Sequence, residues 1–139
     1  MAHAKFPVEI LSPEGEVFSG EVEMISTRTA TGSIGFLANH TPLLAMLEPT
    51  ELRLYESEND VTRFAQGEGY IQVGGNRALM LVEEAHSPDE LDVAELKDKL
   101  KRAEQELERA EEGSEAQRIA ERDKRRWQAF LAVVEDGAA

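Results

Sequence analysis

Metal binding or proton transfer in this chain would have to come from His3, His40 and His86 and from 28 carboxylates, because there is no cysteine. Disulfides and thiolate chemistry are therefore excluded, and a zinc ion would need those histidines together with carboxylates. No HExxH pair, nucleophile elbow, GxxxxGK phosphate loop or strand-linked dinucleotide fingerprint is present. Glu83-Glu84 and Glu111-Glu112 read as solvated charge, since no motif organises them into an acid and a base. Gly67-Glu68-Gly69 and Gly74-Gly75 read as strand and turn glycines rather than a phosphate cradle. The densest cationic stretch holds Arg118, Arg122, Lys124, Arg125 and Arg126 against only Glu121 and Asp123. With Trp127 beside it, this stretch could stack on nucleic acid, but a net charge of -13 opposes phosphate and Trp127 is better explained as a hydrophobic anchor. A catalytic site is not expected, and function falls to broad surfaces rather than a pocket.

Two periodicities organise the 139 residues. Up to about Ala85, short alternating runs are separated by turn residues, as in a compact antiparallel β-sandwich or barrel. Val8 and Ile10 alternate in a first strand, Ser12-Pro13-Glu14-Gly15 turns the chain, and Val22 and Met24 share the buried face of the next strand against Glu21 and Glu23. Leu52 and Leu54 alternate with Glu51 and Arg53, Glu56 to Asp60 form a polar turn, and Gly74-Gly75-Asn76 separates Tyr70–Val73 from Leu79–Val82. Gly32 to Leu44 reads as a shaped loop between strands, with His40 hydrogen-bonded inside the fold or serving as a contact residue.

After Ser87 the period becomes helical, which places a domain boundary between residues 1–86 and 87–139. Ser87 is expected to cap a helix with Pro88 in its first turn and Glu90 reaching back. Val93, Leu96, Leu100, Ala103, Leu107 and Ala110 form one stripe, and Gly113 stops the helix. Ser114 and Gln117 make a second capping box, ahead of the stripe Ala116, Ile119, Trp127, Phe130, Leu131 and Val134. An antiparallel two-helix hairpin follows, weakly held because Asp123 interrupts its seam and Ala103 and Ala110 offer little contact area. The basic run could instead be an ordinary solvated face, with Glu121 beside Arg125 and Arg118 beside Arg122 at one-turn spacing. No stretch approaches the roughly 18 consecutive apolar residues of a membrane span, and MAHAKFPVEI lacks a secretion-signal core, so no direct membrane insertion is expected.

The run Gly32-Ser33-Ile34-Gly35-Phe36-Leu37-Ala38-Asn39-His40-Thr41-Pro42-Leu43-Leu44 resembles the G-x-(I/L)-G-(I/L)-(L/Y)-x-x-H-x-P-L-(L/V) motif of the epsilon subunits of bacterial F-type ATP synthases. Pro13 to Val22 is similar to that family's opening strands, and Gly67-Glu68-Gly69-Tyr70-Ile71-Gln72-Val73 to its S-G-G-(F/I)-(L/V)-E-V segment, although Gln66-Gly67-Glu68-Gly69 departs from the usual glycine pair. With the hairpin, the resemblance covers essentially the whole chain.

That resemblance implies a non-catalytic rotor subunit, peripheral on the cytoplasmic face of the bacterial plasma membrane. It would bind the gamma subunit and the ring of c subunits and couple proton flow to ATP synthesis by the alpha and beta subunits. Thr31, Gly32, Ser33, Ile34 and Gly35, with Asn39, His40, Thr41 and Pro42, become candidates for the ring contact. Arg118, Arg122, Lys124, Arg125 and Arg126 become candidates for an inhibitory helix that meets an acidic segment of the beta subunits. Some relatives hold ATP between the helices through (I/L)-D-x-x-R-A. Here Leu91-Asp92-Val93-Ala94-Glu95-Leu96 puts Glu95 at the arginine position, where it repels a triphosphate, so no cofactor is expected. The rival readings are a nucleic-acid module, a carboxylate enzyme and a generic helical adaptor; the adaptor differs from a rotor subunit only in its partner.

Overall fold

The computed structural model describes residues 3–137. Among them, ten strands form one antiparallel-rich sheet: β1 (Phe6–Ser12), β2 (Gly15–Val22), β3 (Met24–Thr29), β4 (Gly32–Leu37), β5 (Leu43–Leu47), β6 (Thr50–Tyr55), β7 (Val61–Gln66), β8 (Gly69–Gly74), β9 (Arg77–Val82) and β10 (Ala85–His86). A 3₁₀ turn (Pro88–Glu90) and helices α1 (Val93–Arg109) and α2 (Glu115–Gly137) complete the chain. Spatial order is β10-β7-β6-β3-β5-β8-β9-β1-β2, with β4 on the other side of β3 and β1 parallel to β9.

The sheet folds over on itself because β3 meets β5 through the single pair Thr29 and Leu47, leaving two half-sheets to face each other. Their inner faces are set by period-two alternation: Phe6, Val8 and Ile10; Leu52 and Leu54; Ile71 and Val73; Ala78, Met80 and Val82. Each large aliphatic or aromatic side chain among these contributes roughly 1.5–3 kcal/mol on burial. Positive φ at Gly75 and Asn76 makes the tight β8–β9 hairpin whose twist suits the strands.

Four sequence expectations need correction. Val22 and Met24 do not share one strand: the chain changes direction at buried Glu23, whose amide donates to the Tyr55 carbonyl, so Ile25 and not Met24 turns inward. Gly32 to Leu44 is not a loop but β4, a short turn and the start of β5, because Gly32 to Leu37 pair residue by residue with β3. Ser87 makes no side-chain cap; Asp92 caps α1 instead, its Oδ1 accepting from the Ala94 and Glu95 amides. Pro88 and the two residues after it close only a 3₁₀ turn. The first helix ends at Arg109, and Gly113 serves the connection with φ of 78°. Ser114 does cap α2 by accepting from the Gln117 amide, while Gln117 returns the bond to the Gly113 amide.

The helices pack beside the sandwich rather than into it. Leu96, Phe130, Leu131 and Val133 form their own apolar cluster, to which the sandwich contributes Ala65. The α1 stripe lies buried or half-buried as expected, with Ala103 3% exposed, but α2 buries Ala120 and Val133 and leaves Ala116 exposed. Its buried arc is wider than one three-four stripe because α2 touches both α1 and the sandwich. Arg63 of β7 anchors α2 by donating to the Val133 carbonyl at 3.0 Å while pairing with Glu51, which also accepts from Arg53.

Gly69 sits where a Cβ would lie 1.9 Å from the Leu81 carbonyl oxygen and 2.8 Å from the Val82 Cα. Gly69→Ala is expected to lower unfolding free energy by about 3 kcal/mol or more, measured by urea titration, because backbone and not a flexible side chain blocks the site. Burial would raise the Glu51 pKa, yet the hydrogen bonds and charges of Arg63 and Arg53 prevail and hold it below the ordinary carboxylate value. The stability this gives is present above that ordinary value near 4.5 and is lost as pH falls through the lower folded value. Urea midpoints followed from pH 7 to pH 3 should show a smaller acid loss for Glu51→Gln than for the native chain; an unchanged acid loss would remove Glu51 from this role.

Candidate docking surface

The outer face of the β5–β8–β9 half-sheet carries an apolar row beside polar Gln72, where alternation calls for polar residues. Register places Met46 opposite Tyr70, Tyr70 opposite Leu81, and Leu81 beside Leu11 of β1. Leu44, one position further along this face of β5, is 70% exposed, and Met46, Tyr70 and Leu81 are 58%, 51% and 47% exposed. A groove of about 440 Å³ runs along the row, with Glu68 and Glu83 also among its lining residues. A contiguous exposed row of this kind is the mark of an interaction surface. Sequence reasoning passed over it, because Leu44 fell at the end of the stretch read as a loop and Leu81 within a continuous apolar run. The available signal was the unbroken apolar run Leu43 to Leu47, which leaves no polar side for β5.

The candidates in and around β4 fall into two groups: Thr31 to Gly35, from the β3–β4 turn into the first part of the strand, and Asn39 to Pro42, beyond its far end. Thr31 lies in the β3–β4 turn, where its amide donates to the Thr29 hydroxyl, and Gly32 opens β4 with φ of 128°. Ser33 and Gly35 face outward, whereas Ile34 packs on the sandwich core. Beyond the far end of β4, Asn39 takes positive φ and its amide donates to Asn76 Oδ1 at 2.9 Å, joining this loop to the β8–β9 turn. His40 is half-buried; its ring meets Phe36 edge-on at 4.9 Å and its Nδ1 donates to the Thr41 carbonyl at 2.7 Å. Pro42 packs close to Gly74, and Thr41 is exposed.

The cationic run of α2 is largely engaged within the chain. Arg118 pairs with Glu115, Arg122 with Asp123 at 3.2 Å, and Arg125 with Glu48 at 3.6 Å rather than with Glu121. Lys124 makes no ion pair among the described residues. Arg126 is 9% exposed and donates from Nη2 to Glu83 at 2.5 Å, with Nη1 3.1 Å from Glu84. Glu83 and Glu84 are therefore not simply solvated charge, and tertiary contact accounts for the change: the middle of α2 brings a cation to them. Trp127 lies between cations, with Lys99 Nζ 4.7 Å from its ring. Glu95 pairs with Lys99 at 3.3 Å on the first helix. No group of His, Asp and Glu able to hold a metal occurs among the described residues.

Residues 5–88 match the family described as ATP synthase, Delta/Epsilon chain, beta-sandwich domain. The chain is 42% identical over 106 residues to the ATP synthase epsilon chain of Persephonella marina, covering 76% of this chain and 78% of that protein. It is 35% identical over 126 residues to that of Sulfurihydrogenibium sp., covering 91% and 94%. Among solved structures, a chain of the Euglena gracilis mitochondrial ATP synthase OSCP/F1/c-ring assembly aligns with a TM-score of 0.81 at 19% identity, covering 93% of this chain and 81% of that one. A chain of the Tetrahymena thermophila mitochondrial ATP synthase central stalk and c-ring aligns over the full length of both with a TM-score of 0.58 at 16% identity. At these identities the likeness is one of fold.

Proposed function

The chain belongs to the ATP synthase delta/epsilon family, within which its relatives are epsilon chains, and from that premise we propose that it is a rotor subunit joining the gamma subunit to the ring of c subunits. Its part is mechanical rather than catalytic: epsilon chains are subunits of the synthase and not its catalytic centre. The observation that carries the reading is the outward row Leu44, Met46, Tyr70 and Leu81, a ready seat for a large apolar partner. We assign that seat to gamma. The loop formed by Asn39, His40, Thr41 and Pro42, held to the β8–β9 turn, and the separate stretch Thr31 to Gly35, which runs from the β3–β4 turn into β4, remain the proposed ring contacts, as two patches rather than one. Proton flow through the ring would then reach the alpha and beta subunits by rotation. The subunit would sit peripherally at the cytoplasmic face, in keeping with the absence, among described residues, of a helix long and apolar enough to cross a membrane. Arg118, Arg122, Lys124, Arg125 and Arg126 are proposed to slow ATP hydrolysis when they face acidic residues of the head. ATP itself is not proposed to bind between the helices: Asp92 is occupied as a helix cap, and Glu95 adds negative charge beside it.

Met46→Ser with Leu81→Ser should leave the urea midpoint nearly unchanged, each exposed change being within about 0.5 kcal/mol. The same variant should lose association with a purified alpha-beta-gamma head, while a chain ending at His86 still associates but no longer slows its ATPase rate. Association by the serine variant at native affinity would exclude the row as the gamma seat, and equal ATPase rates with full and shortened chains would exclude the brake. Millimolar ATP should leave the melting temperature of the isolated chain unchanged; a rise of several degrees would show that the helices do take the nucleotide.

A further inference from the structure

Among the described residues, Arg126 is the only basic side chain in the buried class, and both of its carboxylate partners belong to the segment that leaves β9. The sandwich core is complete without the helices: none of its buried members comes from α1 or α2. In the other direction, the buried helical cluster draws only Ala65 from the sandwich. Apolar contact between the two parts is therefore thin. The remaining links are the edge-on contact of His86 with Phe130 at 6.1 Å, the Arg63 bond to the Val133 carbonyl, the Arg125–Glu48 pair, which is largely solvated and weak, and the Arg126 clamp. Of these, only the clamp buries a full charge, and burial makes its partners matter. A guanidinium left in that position without carboxylates is strongly unfavourable, whereas an apolar side chain of similar length there is tolerated.

We propose that the Arg126 clamp on Glu83 and Glu84 decides whether α2 lies against the sandwich, and that it withholds Arg126 from any outside acidic partner until α2 departs. The two contacts compete, since at 9% exposure Arg126 presents little surface to another molecule while docked. Glu84 also meets His86 Nε2 at 2.9 Å, and Trp127 lies against the guanidinium with Lys99 on its ring, so the clamp is fixed from several sides. The clause about an outside partner rests on the proposed brake; the docking clause does not, and it can be tested on the isolated full-length chain.

The test is amide hydrogen exchange, resolved by residue, on three forms: native, Glu83→Gln with Glu84→Gln, and that pair combined with Arg126→Met. The glutamine pair should speed exchange through α2 on the order of 100-fold while β8 and β9 keep their native protection. Adding Arg126→Met should restore α2 protection to within about tenfold of native, because no buried charge is then left unpaired. Native α2 rates in the glutamine pair would overturn the proposal, as would acceleration of β8 and β9 equal to that of α2, or failure of Arg126→Met to restore protection. An ATPase assay that found no brake would leave these exchange results standing, so the two readings can fail separately.

Discussion

A fully buried glutamine holds the corner on which the architecture turns. Gln66 accepts from the Thr27 hydroxyl at 2.7 Å and donates from Nε2 to the Glu48 and Gly67 carbonyls. One side chain thus ties β3, the β5–β6 connection and the end of β7 at the place where the sheet folds over and regular pairing shrinks to Thr29 and Leu47. Backbone carbonyls at such a corner cannot all find strand partners, and a buried amide with both ends satisfied supplies them. An apolar residue there would keep the volume and leave Thr27 and two carbonyls unsatisfied.

From that corner the two half-sheets take different outer surfaces. The β6–β7 side carries charge, Glu51 with Arg53 and Arg63, and receives α2. The β5–β8–β9 side carries Met46, Tyr70 and Leu81 in register. A sandwich buries one face of each sheet against the other, so an apolar outer face gains nothing from folding, which is why it is proposed as the seat of a partner. The charged face fastens the chain's own helices and the apolar face is left for another molecule. This division explains how a small chain can lack any pocket chemistry and still have a defined task within a larger assembly.

The helical half depends on the sandwich more by charge than by apolar area. Arg63 and Arg126 reach across at two points along α2, at Val133 and at Glu83 and Glu84. Directional contacts of this kind fix an orientation that a smooth apolar surface would leave loose. They also make the seat sensitive to any change in its charges, because a buried charge is tolerated only with its partner.

Periodicity by itself determined the two-part organisation, the alternating cores of β1 and β6 and the α1 stripe, and Gly74-Gly75-Asn76 marked the turn between β8 and β9. These follow from spacing within a single element, which local sequence carries directly. The motif from Gly32 to Leu44 pointed to the family, which the match over residues 5–88 then established. Tertiary structure alone decided which way Met24 and Ile25 face, because the reversal lies in the crossing at Glu23 and not in the alternation around it. It also decided that Asp92 and not Ser87 caps α1, since pairing of β10 with β7 carries the strand through His86 and leaves only a short turn before the helix. The exposure of Leu44, Met46 and Leu81 and the burial of Arg126 reverse what residue type suggests. Which face of a sheet is covered, and which helix face meets a carboxylate, depends on elements distant in the chain, and no local period encodes that.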